Sequence, residues 1–169
     1  NKDLYMLSGS RISHYSLNVE SGSLERQSDE YLISGILNYR YTLDSDVFSI
    51  DPSGRFLYVC GYYNRGTGTN KTRLHALLID QSDGTLTYTG YVDIEDYTNG
   101  CVDLIFDREG KFIYATHQTE PFVYVISVDQ ETGIPTRVQR SGRPSGVNQY
   151  QKKLAIHPSG KFLYSTNSS

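Results

Sequence analysis

The chain is predicted to be all-β and built from four-stranded antiparallel meanders, on three observations. A short phrase occurs four times: Asp3-Leu4-Tyr5-Met6, Phe56-Leu57-Tyr58-Val59, Phe112-Ile113-Tyr114-Ala115 and Phe162-Leu163-Tyr164-Ser165. Its tyrosines are 53, 56 and 50 residues apart. A glycine-closed turn precedes three of the copies, and no segment sustains a helical apolar period. A period near fifty residues that contains several strands is the signature of a β-propeller or a related array.

The elements follow in a fixed order. Strand A and its turn read Val47-Phe48-Ser49-Ile50-Asp51-Pro52-Ser53-Gly54, Asp103-Leu104-Ile105-Phe106-Asp107-Arg108-Glu109-Gly110, and Lys153-Leu154-Ala155-Ile156-His157-Pro158-Ser159-Gly160. Pro52 and Pro158 preset φ, and Gly54, Gly110 and Gly160 close the turn where φ can be positive. A basic residue, Arg55, Lys111 or Lys161, opens strand B, which is the repeated phrase. Strand C runs over 11–19, 73–80 and 122–129. A second turn with glycine follows at Gly22, Gly84 and Gly133. Strand D, over 24–28, 86–92 and 134–139, is more polar, as an outer edge strand facing water should be.

This gives thirteen strands and about three blades. Residues 1–40 form a blade lacking its inner strand, 41–98 and 99–145 full blades, and 146–169 the first two strands of another. Alternation puts Phe56, Phe112 and Phe162 on one face with Tyr58, Tyr114 and Tyr164. Leu57, Ile113 and Leu163 take the other face. Both faces are expected to be buried between blades, with Phe112→Ala costing roughly 3–5 kcal/mol. A propeller closes with four to eight blades. The chain is therefore expected to be part of one about twice as long, or else to complete a ring by self-association.

Composition narrows the function classes. Apolar residues make up 37% and charged residues 21%, with a net charge of −3 and no run long enough to span a membrane. Lys and Arg are scattered, which gives no footprint for nucleic acid. Trp is absent among 15 Tyr, against a Trp-Asp type of repeat.

Candidate site residues fall on one end of the blades. His117 ends a B strand beside the B–C and D–A loops; a rim hydrogen bond is favoured over catalysis. His14 and His75 read as packing residues within C strands, and His157 as a turn residue. No two histidines have ligand spacing on one element, so neither a metal nor a cofactor is indicated. Asp44, Asp46, Glu95, Asp96 and Asp103 gather in D–A loops or at strand-A starts. A hard cation could bind such carboxylates, but solvated loops are the favoured reading. The B–C stretch 61–72 carries Tyr62, Tyr63 and Arg65, a set suited to stacking on a sugar or other small molecule, with a hairpin extension as the plainer reading. Cys60 and Cys101 lie towards the same rim; two buried thiols are favoured over a disulfide.

The turns 50–59 and 156–164 resemble the repeat of the lactonase-type seven-bladed β-propellers, which include bacterial 6-phosphogluconolactonase and muconate-lactonising enzymes. Tyr164-Ser165-Thr166-Asn167 is close to the Tyr-Val-Thr-Asn phrase of related surface and periplasmic propellers. The resemblance implies a seven-bladed ring and His, Arg and Glu side chains converging on a central cavity. The inner-strand starts here carry Asp46, Asp103 and Lys153 instead of His, so no catalytic residue transfers. Three readings follow: a binding or scaffold module, a lactonase, and a subunit completed by the remaining blades of the same protein or a partner chain.

Overall fold

Strong β-formers alternate along each segment, and glycine turns reverse the chain, so every neighbouring pair of strands runs antiparallel. The computed structural model describes residues 2–8, 11–27, 31–32, 47–64, 70–95, 100–142 and 151–167. The first sheet holds β1 (Lys2–Ser8), β2 (Arg11–Leu17) and β3 (Leu24–Arg26), with the short β4 (Tyr31–Leu32) also on β2. The second is β5 (Val47–Ile50), β6 (Phe56–Asn64), β7 (Asn70–Ile79) and β8 (Leu86–Glu95). The third is β9 (Cys101–Phe106), β10 (Phe112–His117), β11 (Val123–Val128) and β12 (Pro135–Arg140). The fourth pairs β13 (Gln151–Ile156) with β14 (Leu163–Asn167). The fold is all-β, built from successive antiparallel sheets in the manner of propeller blades. No helix among the described residues is long and apolar enough to cross a membrane.

Six glycines have φ between 71° and 75°: Gly54, Gly110 and Gly160 in the A–B turns, and Gly22, Gly84 and Gly133 in the C–D turns. The A–B turns are pinned by a side chain that accepts from the backbone. Asp51 Oδ1 takes the Phe56 N–H at 2.7 Å, and Asp107 Oδ1 takes the Phe112 N–H at 3.0 Å. His157 stands in the Asp position, where its Nδ1 accepts from the Ser159 N–H at 3.1 Å. A polar acceptor at this place is what the turn needs, and imidazole supplies it.

Strand faces divide by parity. Leu57, Val59, Leu77 and Ile79 pack with Tyr5 and Ile12 of the first sheet. Phe56, Tyr58, Cys60, Leu74 and Ala76 pack with Ile113, Ala115, Tyr124 and Ile126 of the third. The Phe/Tyr face of each blade therefore meets the blade after it, and the Leu/Ile face meets the blade before. This corrects the expectation for Phe112, which is 37% exposed where its equivalent Phe56 is 3% exposed. Among the described residues, β13 and β14 alone lie beyond the third sheet, and none forms a C–D turn over Phe112 as Gly133 covers Phe56. Phe162 and Tyr164 are likewise exposed, which corrects the expectation that they sit in the core.

The stretch 61–72 extends the β6–β7 hairpin. Gly61, Tyr62, Tyr63 and Asn64 continue β6 in register with Arg73, Thr72, Lys71 and Asn70. Arg65 lies outside the described residues.

Candidate functional site

The inner strands β5, β9 and β13 follow one another from sheet to sheet, with β9 in contact with both of the others. Asp103 on β9 and Lys153 on β13 are brought together there. Asp103 Oδ2 accepts the Leu154 N–H at 2.8 Å, and Asp103 Oδ1 lies 3.7 Å from Lys153 Nζ. The carboxylate thus ties two neighbouring inner strands while Lys153 remains largely exposed. An exposed pair of this kind contributes little to stability, but it sets a positive and a negative group side by side at the inner strands.

His117 is fully buried at the same end. The Thr119 N–H donates to its Nδ1 at 3.3 Å, which leaves the proton on Nε2. Nε2 then donates to Thr72 Oγ1 at 3.0 Å, across to the neighbouring sheet. Both ring nitrogens are engaged, Nδ1 within its own blade and Nε2 across to the second sheet. The register slips between Thr116 and His117, and this places His117 opposite Cys101.

Cys101 is bonded to Cys60, with Cα atoms 5.8 Å apart. The expectation of two separate thiols is corrected: the middle of β6 faces the start of β9 across the sheet junction, within bridging distance. The bond and the His117–Thr72 contact staple the second sheet to the third.

Glu95, one of the clustered carboxylates, is held by the third sheet. Its Oε2 accepts from Tyr124 Oη at 3.0 Å and lies 3.4 Å from Arg140 and 3.8 Å from Arg137. Arg137 also donates to the Ile94 carbonyl at 2.7 Å and lies over the Tyr124 ring. Burial first, and then Glu95 itself, push the Tyr124 hydroxyl pKa well up. Glu95 is satisfied by two guanidinium groups and a phenol, which corrects its reading as a solvated loop carboxylate. No cluster of metal-ligating side chains occurs among the described residues.

Of the other sequence candidates, Asp44 and Asp96 lie outside the described residues. Tyr62 and Tyr63 lie on β6, and Asp46 and Arg65 lie outside the described residues. Three groupings were not foreseen. Asp93 accepts from Arg73 Nε at 2.5 Å and from Lys71 Nζ at 3.0 Å. Burial works against the Asp93 charge, but these partners hold its pKa below the usual carboxylate value. His14 Nε2 meets Asp3 Oδ1 at 2.8 Å, beside a polar recess of about 440 Å³ lined also by Ser16, Gln27, Asp83 and Gly84. His75 is fully buried within reach of the Tyr88 hydroxyl, and burial, with Arg73 nearby, lowers its pKa to about 4. The pairing register joins His14 to Tyr5 and His75 to Tyr91, but that register was not written in the sequence.

Comparison with known proteins adds a family. The family model "Lactonase, 7-bladed beta-propeller" matches residues 7–149. No curated protein sequence matches the chain. Among solved structures, a candidate 6-phosphogluconolactonase of Bacteroides uniformis ATCC 8492 superposes with a TM-score of 0.72 at 19% identity, over 97% of this chain and 43% of that one. A protein from Lactobacillus plantarum gives 0.74 at 18% identity, over 98% and 45%. The periplasmic gluconolactonase of Pseudomonas aeruginosa gives 0.59 at 17% identity, over 81% and 36%. At such identities these likenesses show the fold, and this chain spans less than half the length of each.

Proposed function

We propose that this chain, which belongs to the lactonase family of seven-bladed β-propellers, is a binding or scaffold segment whose ring is completed by further blades. The observation that carries this reading is the engagement of His117. Its two ring nitrogens bond Thr119 and Thr72, so the histidine best placed for general-base work holds blades together instead. Asp103 is similarly engaged, by the Leu154 N–H and Lys153. The ligand class that suits such a segment is a small polar molecule such as a sugar or sugar acid.

A second reading, lactone hydrolysis, is favoured by family membership and by the Asp103–Lys153 pair. In that reading Asp103 takes a proton from water, and the water oxygen bonds the ring ester carbonyl carbon. The ring C–O bond breaks, the leaving alkoxide takes that proton back from Asp103, and a hydroxy acid results. Lys153 would steady the developing oxyanion.

A pH-stat assay on 6-phosphogluconolactone and on simple γ- and δ-lactones separates the two. The wild-type chain is compared with Asp103→Asn and Lys153→Met. The scaffold reading expects no turnover above background. Turnover that falls with either substitution overturns it and promotes the hydrolase.

A further inference from the structure

The second and third sheets meet along one face of β6, and three alternate residues of that strand each bind across. The Phe56 ring lies against Gly133 in the C–D turn of the third sheet. Tyr58 Oη donates to the Gly133 carbonyl at 2.7 Å. Cys60, two residues on, is bonded to Cys101. This is the second blade junction. The first, between the first and second sheets, has the Tyr5 bond to the Gly84 carbonyl at 2.8 Å and holds neither cysteine.

A disulfide that switches has to meet its reductant, because a thiolate must attack one of the sulfurs. Cys60 and Cys101 are 0% and 1% exposed. They belong to one core cluster with Leu74, Ile94, Leu104 and Tyr124. Within its own sheet Cys60 stands between Val47 and Leu74. Such apolar surroundings disfavour the charged thiolate through which exchange passes. His117 is opposite Cys101, but both of its ring nitrogens are engaged, so it is not held ready to ionise a thiol. The bond joins residues 41 positions apart on different blades. Either sulfur therefore meets solvent only when the joint between those blades opens.

We infer that the Cys60–Cys101 bond is a permanent lock rather than a switch, and that the chain folds and works in an oxidising compartment, outside the reducing cytosol. Because the closed joint buries both sulfurs, the bond forms during folding, while the joint is open. Two thiols then lose two protons and two electrons, and a disulfide oxidant accepts them and leaves as two thiols. Structural disulfides persist in secretory, periplasmic and cell-surface settings, whereas glutathione and thioredoxin keep cytosolic thiols reduced. Cytosolic disulfides are characteristically transient, catalytic or sensing, and those roles need the exposure that this pair lacks. The inference does not depend on lactone turnover, so failure of the pH-stat expectation and failure of the lock are separate results.

Two measurements test it. Cells that make the protein are quenched in acid and blocked with N-ethylmaleimide, and the protein is digested without reductant for mass spectrometry. The peptides holding Cys60 and Cys101 should be found linked and unblocked; N-ethylmaleimide on either cysteine in most of the protein would overturn the assignment to an oxidising compartment. On the purified chain, dithiothreitol should reduce the native bond at least about 100-fold more slowly than it does in concentrated urea, because exposure requires the joint to open. Tyr58→Phe removes the latch on the same face of β6 and should speed native reduction about tenfold. Tyr5→Phe acts at the first junction and should leave the rate within about twofold of wild type. Far-UV circular dichroism checks that both variants are folded. Native reduction as fast as that in urea, or a rate that Tyr58→Phe raises no more than Tyr5→Phe does, would overturn the lock.

Discussion

The first and second blade junctions use one latch in two settings. Both carry a tyrosine hydroxyl donating to a turn-glycine carbonyl, Tyr5 to Gly84 and Tyr58 to Gly133. Around the latch they diverge. In the second junction the glycine rests on the Phe56 ring, and the joint is reinforced by the Cys60–Cys101 bond, His117–Thr72 and the Glu95 cluster. In the first, Asp3 takes the Phe position, and the glycine rests against His14, which is paired with Asp3. A Cβ on Gly84 would fall 2.3 Å from His14 Cε1, and one on Gly133 would fall 2.3 Å from Phe56 Cδ1. The same close approach is thus met by an ion-pairing ring in one junction and by an apolar ring in the other. The latch sets where blades meet, and the residues beneath it set how firmly.

The largest expected effects fall in the second junction. Phe56→Ala should cost roughly 3–5 kcal/mol, the range for a buried aromatic. Phe112→Ala, at the same repeat position with no turn above it, should cost about 1 kcal/mol. Urea denaturation of both variants measures this, and equal losses would mean that burial at this position does not depend on the following blade. Reducing the Cys60–Cys101 bond, which spans 41 residues, should cost about 4 kcal/mol in the loop-entropy treatment. A Cys60→Ser/Cys101→Ser variant that unfolds at the wild-type urea midpoint would remove the staple from this comparison.

Much of the fold could be read from spacing, and less of the site. The recurrent Leu-Tyr phrase and the Asp-x-x-Gly turns are local, so they fix strands, turns and positive φ without knowledge of neighbours. Burial of the phrase is not local. Phe56 and Phe112 stand in like flanking sequence, Gly-Arg-Phe-Leu-Tyr and Gly-Lys-Phe-Ile-Tyr, and differ in exposure because of residues some seventy positions after Phe56. The disulfide, the His117–Thr72 bridge and the Glu95–Arg137–Arg140 group each join different sheets, and no spacing rule connects their partners. Asp103 and Lys153 were legible as inner-strand residues because the repeat aligns them; their pairing to each other came only with the structure.

The first junction is expected to be the one sensitive to acid. His75 faces it with Leu77 and Ile79, and burial lowers its pKa to about 4, helped by Arg73 and opposed by Asp93. In the unfolded chain the ring titrates near 6.5. Between these values the unfolded state binds more protons, so stability is full above about pH 6.5 and falls as pH drops towards 4. The loss should approach about 3 kcal/mol. Thermal melts from pH 7 to pH 4 on wild type and His75→Asn test it. A profile equally steep in both would assign the acid sensitivity to other groups.

The smallest effect isolates the latch itself. Tyr58→Phe keeps the ring and its packing but removes the donor, leaving the buried Gly133 carbonyl without its 2.7 Å partner. An unpaired buried acceptor costs about 1–3 kcal/mol. Burial foremost, and then Asp51 and Asp129, push the Tyr58 hydroxyl pKa well up, so it remains a donor across the working pH range. Tyr5 is pushed up to about 12 by the same causes, burial before Asp3 and Asp83, and Tyr5→Phe should cost a similar amount through Gly84. Tyr114→Phe should lie within about 0.5 kcal/mol of wild type, since no turn glycine faces it among the described residues. Equal costs at all three positions would mean that the hydroxyl acts within its own blade. Costs at Tyr5 and Tyr58 alone would assign it to the joint, whatever lies beneath the glycine.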